Sequence, residues 1–345
     1  MKSIYSLFLI VVLSLSACNS PQQQSASPEP LTANFEHDIE SGPTPWNGDE
    51  FEETEEDFTF AFISDLTGGE RPGIFSVAVE QINRIEPTFV VSVGDLINGG
   101  TEDSLQLKKE WDSFDHRANK LDMPFFYLGG NHDLTNPIMR EFWKNRFGPR
   151  YYHFVYENVL FLMIDSEDFE EKRMMEIYTA RAKALKIIYG EIEGEYENSE
   201  YYHMLERRTG AMSDAQLEYY KNVLNKYPDV KWTFVIMHKP MWTREDEKGL
   251  GRLEAELEDR SYTVINGHEH SFSHRIRKGM DYIMLGTTGG GQFKDDPNGF
   301  DHITLVRMAK EKPVITHIRM DGILDETGKI PLGGDSLNFQ ASKPN

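Results

Sequence analysis

From residue 58 onward, apolar and polar positions fall into blocks that read as short strands alternating with longer helices. Residues 58–63 form a near-continuous apolar run that ends at Ser64-Asp65. Helical periodicity over 75–85 leads to a second run, 88–93, which ends at Gly94-Asp95. A helical stretch over 103–121 precedes a third run, 124–128, which ends at Gly129-Gly130-Asn131-His132-Asp133. Short apolar strands separated by helices predict a β-α-β-α-β unit with a mostly parallel, buried sheet. Ligands of such sheets gather just beyond the carboxyl ends of the strands, which is where these Asp, Asn and His residues fall.

The pattern then changes. Runs at 151–156 and 159–164, separated by Glu157-Asn158, predict a hairpin. Residues 166–211 form a charged insertion in which Met174, Ile177, Leu185, Ile188 and Ile192 recur at helical spacing. A solvated helical excursion is the preferred reading of this segment over a substrate lid. Residues 213–227 predict a helix with Ser213 as its N-cap, and 232–237 a strand ending at His238. A short helix at 252–258 leads to a strand at 262–266 that ends in Gly267-His268-Glu269-His270. Strands at 274–277, 281–285, 302–308 and 313–318 complete a domain over 58–320 and leave a tail at 321–345.

Ahead of this domain, Lys2 precedes an apolar run over 4–15, the length of a signal-peptide core and too short to span a bilayer. It ends in Leu15-Ser16-Ala17-Cys18, which resembles the lipobox of bacterial lipoproteins. Cys18 is the sole cysteine, so an intrachain disulfide is excluded. Residues 1–17 are therefore expected to be a signal peptide and Cys18 the site of lipidation. That places the protein in the bacterial cell envelope, bound to a membrane through a lipid anchor. Asn19, where an Asp would signal retention, leans the expectation towards the outer membrane. The Pro-, Ser- and acid-rich residues 18–57 read as a flexible tether.

Composition narrows the class further. Apolar residues make up 39% of the chain and aromatics 12%, enough for a large core and against global disorder. A formal net charge of -21 repels polyanions, so nucleic acid is not expected as a partner.

The strand ends supply Asp65, Asp95, Asn131, His238, His268 and His270, a set suited to two divalent ions that share a carboxylate. In order along the chain stand Asp65-Leu66-Thr67, Gly94-Asp95, Gly130-Asn131-His132-Asp133, His238 and Gly267-His268-Glu269-His270. This series resembles the calcineurin-like metallophosphoesterases. The resemblance implies an α/β fold in which two face-to-face mixed β-sheets are flanked by helices. It also implies metal-dependent hydrolysis of a phosphomonoester or phosphodiester. In that reading Asp95 bridges the ions, Asn131, His238 and His268 complete one site, and Asp65 and His270 serve the other. His132 then faces the phosphate as transition-state stabiliser or general acid, with Asp133 orienting its ring. One block departs from the family pattern: Thr67 stands where the first motif carries a histidine. Of the candidate ions (Mn, Fe, Zn or Mg), that loss favours Mn at the Asp65 site, because two carboxylates and one imidazole make a harder donor set. Thr67 also motivates the rival reading, a metal-binding or scaffold lipoprotein with a degenerate site. His153, His274, His302 and His317 fall within strands and read as structural. Arg71 reads as a surface residue rather than a phosphate ligand. The glycine-rich stretch 286–291 lacks a nucleotide-binding spacing and reads as a loop beside the metals.

Overall fold

The structure is a computed structural model that describes residues 35–51, 57–244, 247–310 and 312–322. The expected signal peptide, Cys18, the first part of the tether and the tail from 323 lie outside the described residues. The chain runs β1 (Phe35–Glu36), β2 (Phe58–Ile63), α1 (Ile74–Ile85), β3 (Phe89–Ser92), α2 (Ser104–Ala118), β4 (Phe125–Phe126), α3 (Pro137–Phe147), β5 (Tyr152–Tyr156) and β6 (Val159–Ile164). It continues through α4 (Glu171–Ile188), α5 (Glu200–His203), α6 (Asp214–Lys226), β7 (Trp232–Met237), α7 (Gly249–Glu256) and β8 (Tyr262–Asn266). The last strands are β9 (Ser273–Arg277), β10 (Met280–Met284), β11 (His302–Met308) and β12 (Pro313–Arg319).

Two mixed sheets result. One has seven strands in the order β1-β5-β6-β7-β8-β10-β9, the other five in the order β12-β11-β2-β3-β4. Strand β2 shows why its sequence is apolar throughout. Phe58, Phe60 and Phe62 point into a layer between the sheets, while Ala61 and Ile63 point towards α1 and α2. Strand β6 does the same: Phe161 and Met163 face the inter-sheet layer, and Leu160, Leu162 and Ile164 face α6 and α7. A strand covered on both faces has no polar side to show, so alternation disappears from its sequence. The inter-sheet layer is strongly aromatic, with Phe60 stacked on Phe89 and Phe154 stacked on Phe161. Among the described residues, no helix is long and apolar enough to cross a membrane.

Three expectations need correction. The tether does not extend to residue 57 as a free segment. Phe35 pairs with Tyr156 through β1 and β5, and Trp46 is 6% exposed, packed on Phe126 and Tyr152. Polar composition concealed three aromatic anchors, Phe35, Trp46 and Phe51, which seat on the inter-sheet core. Second, β4 is only Phe125–Phe126, because the Tyr127 N–H donates to Pro45 O at 2.8 Å and the Leu128 N–H to Ser92 Oγ at 2.9 Å. Third, the insertion is not solvated throughout. Met174, Ile177, Ala180, Arg181 and Ala184 form the buried face of α4, whereas Ile188 and Ile192 are exposed.

Candidate active site

Parallel strands deliver the chemistry to one rim. Asp65 follows β2, Asp95 follows β3, Asn131 and His132 follow β4, His238 follows β7, and His268 and His270 follow β8. Ligand atoms of Asp95, His238 and His268 all lie within 4.8 Å of one another, and so do those of Asp65, Asp95 and His270. Asp95 belongs to both groups. His238 Nε2 is 3.1 Å from Asp95 Oδ2 and 3.2 Å from both Asn131 Oδ1 and His268 Nδ1. His270 Nε2 lies 3.4 Å from Asp65 Oδ1. All six expected metal ligands therefore converge.

The surroundings fix which atoms face inward. His238 Nδ1 donates to Val93 O at 2.9 Å, His268 Nε2 to Arg207 O at 2.8 Å, and His270 Nδ1 to Gly291 O. Each ring thus spends its N–H on a carbonyl and turns a lone pair to the cluster, the arrangement of metal-binding histidines. The Asp65 carboxylate is held by the Ser64 hydroxyl and by the His268 N–H at 3.0 Å. Electrostatics point the same way. Burial opposes charge on His238, yet Asp95 beside it raises that imidazole to about 9. Burial likewise opposes charge on Asp95, but His238 and His132 hold its carboxyl well below the usual range. The cluster attracts positive charge, and the donor set fits divalent ions.

Forming this rim strains the backbone. Asp95, His268 and His270 have φ of 56°, 81° and 54°, a left-handed region that costs non-glycine residues about 1–3 kcal/mol each. Two motif glycines are required by close approach. A Cβ on Gly130 would sit 2.3 Å from Asp95 Oδ1, and one on Gly267 would sit 2.2 Å from Asp65 Oδ2.

Several expected roles change. Asp133 does not orient the His132 ring. Its carboxylate accepts the N–H groups of Asp95 (2.8 Å), Leu96 (3.1 Å), Ile97 (3.2 Å) and Gly130 (2.8 Å), clamping the two loops that carry Asp95 and Asn131. The His132 ring is oriented instead by Asn98 O, 2.7 Å from Nδ1, and its Nε2 lies 2.9 Å from Arg181 Nη2. Burial first, and then the Arg181 charge, lower His132 to about 4. The same Arg181 Nη2 is 3.3 Å from Nδ1, so the guanidinium lies against the face of the ring. Arg71 neither floats at the surface nor meets the cluster. It pairs with Asp301 at 2.6 Å and donates to Gly290 O at 3.0 Å. That brace holds the 286–291 loop, whose Gly290 N–H reaches Asp65 O at 3.0 Å. The loop lies beside the site as expected. Thr67 is buried, with its N–H on Asp95 O at 3.2 Å.

Sequence reasoning missed the wall opposite the cluster. A cavity of about 360 Å³ over the site is lined by Asp95, Asn131 and His132 on one side and by Arg181, Tyr196 and Arg207 from the insertion on the other. One signal was available: Arg181 interrupts an apolar stripe at helical spacing, Met174-Ile177-Arg181-Ala184.

The calcineurin-like phosphoesterase family model matches residues 58–272, which hold every cluster residue. The chain belongs to the calcineurin-like phosphoesterase family. A probable glycerophosphodiester phosphodiesterase, GpdQ, of Arcobacter nitrofigilis is 28% identical over 156 residues, 45% of this chain and 43% of that protein. The matched region thus spans less than half of that relative. Among solved structures, a dimetal phosphatase from Danio rerio shares the fold with a TM-score of 0.53 and 15% identity, covering 76% of this chain and 96% of that one.

Proposed function

We propose that this chain hydrolyses a phosphate ester at a binuclear metal site outside the cytoplasm. The observation that carries the reading is Asp95, whose one carboxylate belongs to both ligand groups. Asp65 and His270 would hold one ion, Asn131, His238 and His268 the other, and Asp95 both. When bound, such ions neutralise phosphoryl oxygens and lower the pKa of water. The protein contributes rigidity: the carbonyls of Val93, Arg207 and Gly291 orient the imidazoles, and Asp133 locks the loops beneath. His132 lines the cavity with an imidazole that burial keeps neutral. Manganese or magnesium suits the Asp65 side, which has a single imidazole. The complete Asn131, His238 and His268 set weighs against a degenerate scaffold.

The test combines metal analysis with turnover of phosphomonoesters and phosphodiesters. Wild-type protein should carry two ions per chain and hydrolyse an ester, and Asp95→Asn should lose both ions and the activity. Loss of only one ion would break the shared-carboxylate reading. Full metal content without turnover across the panel would favour the scaffold. The envelope location rests on the Cys18 motif alone. Cys18→Ser should leave the protein unlipidated and free of membranes, and equal membrane partitioning of both proteins would end that proposal.

A further inference from the structure

Helix α4 carries a charge on its buried face. Arg181 is 6% exposed among Met174, Ile177, Ala180 and Ala184. Buried guanidinium groups are normally neutralised by a carboxylate, because an isolated charge is costly to desolvate. The other arginines of the insertion follow that rule or lie nearer solvent: Arg173 pairs with Glu206 at 3.0 Å, and Arg207 stacks on Tyr202. Among the described residues, the close polar contact of Arg181 is with the His132 ring, whose Nε2 is 2.9 Å from Nη2. The same Nη2 is 3.3 Å from Nδ1, so the guanidinium lies against the face of a ring that brings no negative charge. On its other flank the guanidinium packs on Gly100, where a Cβ would come within 3.0 Å of Nη1. Its open side faces the cavity that holds Asp95, Asn131 and His270. Among the described residues no carboxylate forms an ion pair with Arg181, although Asp95 and Glu269 line the same cavity, so the guanidinium is free to meet an anionic ligand there.

We propose that Arg181 binds the phosphoryl group of the substrate beside His132 and selects phosphomonoesters over phosphodiesters. This rests on the phosphoesterase reading above and names its substrate class. A monoester presents three non-bridging oxygens and two negative charges. The residues of the Asp95-centred cluster would hold ions that neutralise part of that charge, and a monoester has an additional charged oxygen to offer the guanidinium. A diester has only two non-bridging oxygens and one negative charge, and its second ester oxygen is uncharged and carries a bulky substituent. A planar fork of N–H donors suits the charged oxygen and not the alkylated one.

The experiment compares wild type, Arg181→Gln and Arg181→Lys, each loaded with Mn²⁺ and checked for metal content and melting temperature. Turnover is followed with 4-nitrophenyl phosphate and bis(4-nitrophenyl) phosphate. Binding of inorganic phosphate and of dimethyl phosphate is followed by calorimetry. Arg181→Gln should lower monoester kcat/KM and phosphate affinity by about 10- to 100-fold, the loss expected for a charged hydrogen bond. Diester turnover and dimethyl phosphate affinity should change by less than about 3-fold on the same scale. Arg181→Lys should fall between, and it carries the test if the glutamine variant does not fold. A purely structural arginine would shift melting temperature and reduce both esters alike. That result, or unchanged phosphate affinity, overturns the proposal. If wild type turns over neither ester while phosphate affinity still falls selectively in the variants, the hydrolase reading fails and the anion site stands.

Discussion

At the scale of single residues, the site is governed by how closely backbone can approach ligand atoms. Gly130 shows this most directly, since its missing side chain leaves room for the Asp95 carboxylate. Gly130→Ala is expected to push that carboxylate away and weaken Mn²⁺ binding by about 10- to 100-fold, the range seen when supports of metal ligands are disturbed. It should also cost about 1–3 kcal/mol of stability through overpacking. Gly251→Ala is the control, because a Cβ there meets nothing within 4 Å. Calorimetric titration of the metal-free proteins decides it, and equal affinities in all three would show that the Asp95 position does not depend on Gly130. The same scale separates what the sequence reveals from what it hides. Asp65, Asp95, Asn131, His238, His268 and His270 are legible because metal chemistry restricts residue type at each strand end. Asp133 was misassigned because its partners are backbone amides, which have no letter in a sequence. Arg181 lies far from the motifs along the chain, and only its place on a buried helix face marks it.

At the scale of elements, the segment over 35–51 acts as a strap across the open side of the two sheets. Strand β1 pairs with β5 at the edge of the larger sheet, and Trp46 bridges to Phe126 at the edge of the smaller one. Asn47 adds to the second edge, its N–H donating to Phe125 O at 3.2 Å and its Oδ1 accepting from Phe125 N at 2.7 Å. Exposed sheet edges invite mispairing, and the strap covers both. Trp46→Ala should therefore destabilise the protein by about 3–5 kcal/mol, as for other buried large-to-alanine changes. Urea unfolding at a fixed metal concentration measures this, and a change below about 0.5 kcal/mol, the level of a surface substitution, would restore the free tether. The strands around the strap were legible because two-sided burial writes long apolar runs. The hairpin was legible from its turn, where Glu157 and Asn158 both take positive φ, 45° and 62°. The strap was not, since its few aromatics are diluted by polar neighbours. Helix α3 also went unread, although Asn136 caps it and Pro137 starts it, an explicit start signal.

At the scale of the whole molecule, the two sheets must stay in register for ligands from both to meet, since Asp65 and Asp95 follow strands of one sheet and His238 and His268 strands of the other. His302 is one of the ties. It begins β11 in the smaller sheet, and its Nε2 accepts the N–H of Gly286, just past β10 in the larger, at 2.8 Å. To accept there the ring must be neutral, and burial first, then the charges of His317 and Arg319, lower it to about 3. An unfolded histidine titrates near 6.5. Between those values the unfolded chain binds a proton at this position that the folded chain refuses, so stability falls as pH drops. The contribution is fully present above about pH 6.5 and is lost towards pH 3, with a slope of about 1.4 kcal/mol per pH unit. His153, lowered to about 4, and His317, also lowered, add slopes of the same sign, so the wild-type profile alone does not isolate His302. Subtraction does. His302→Asn should be less stable than wild type at pH 7.5, because the sheet-to-sheet bond is weakened. Its deficit should then shrink by about 1 kcal/mol or more between pH 6 and pH 5, since asparagine takes up no proton. Urea unfolding of both proteins in chelator at pH 7.5, 6 and 5 gives the difference directly. A deficit that stays constant across that range would mean that His302 is charged in the folded protein and does not hold the sheets as a neutral acceptor.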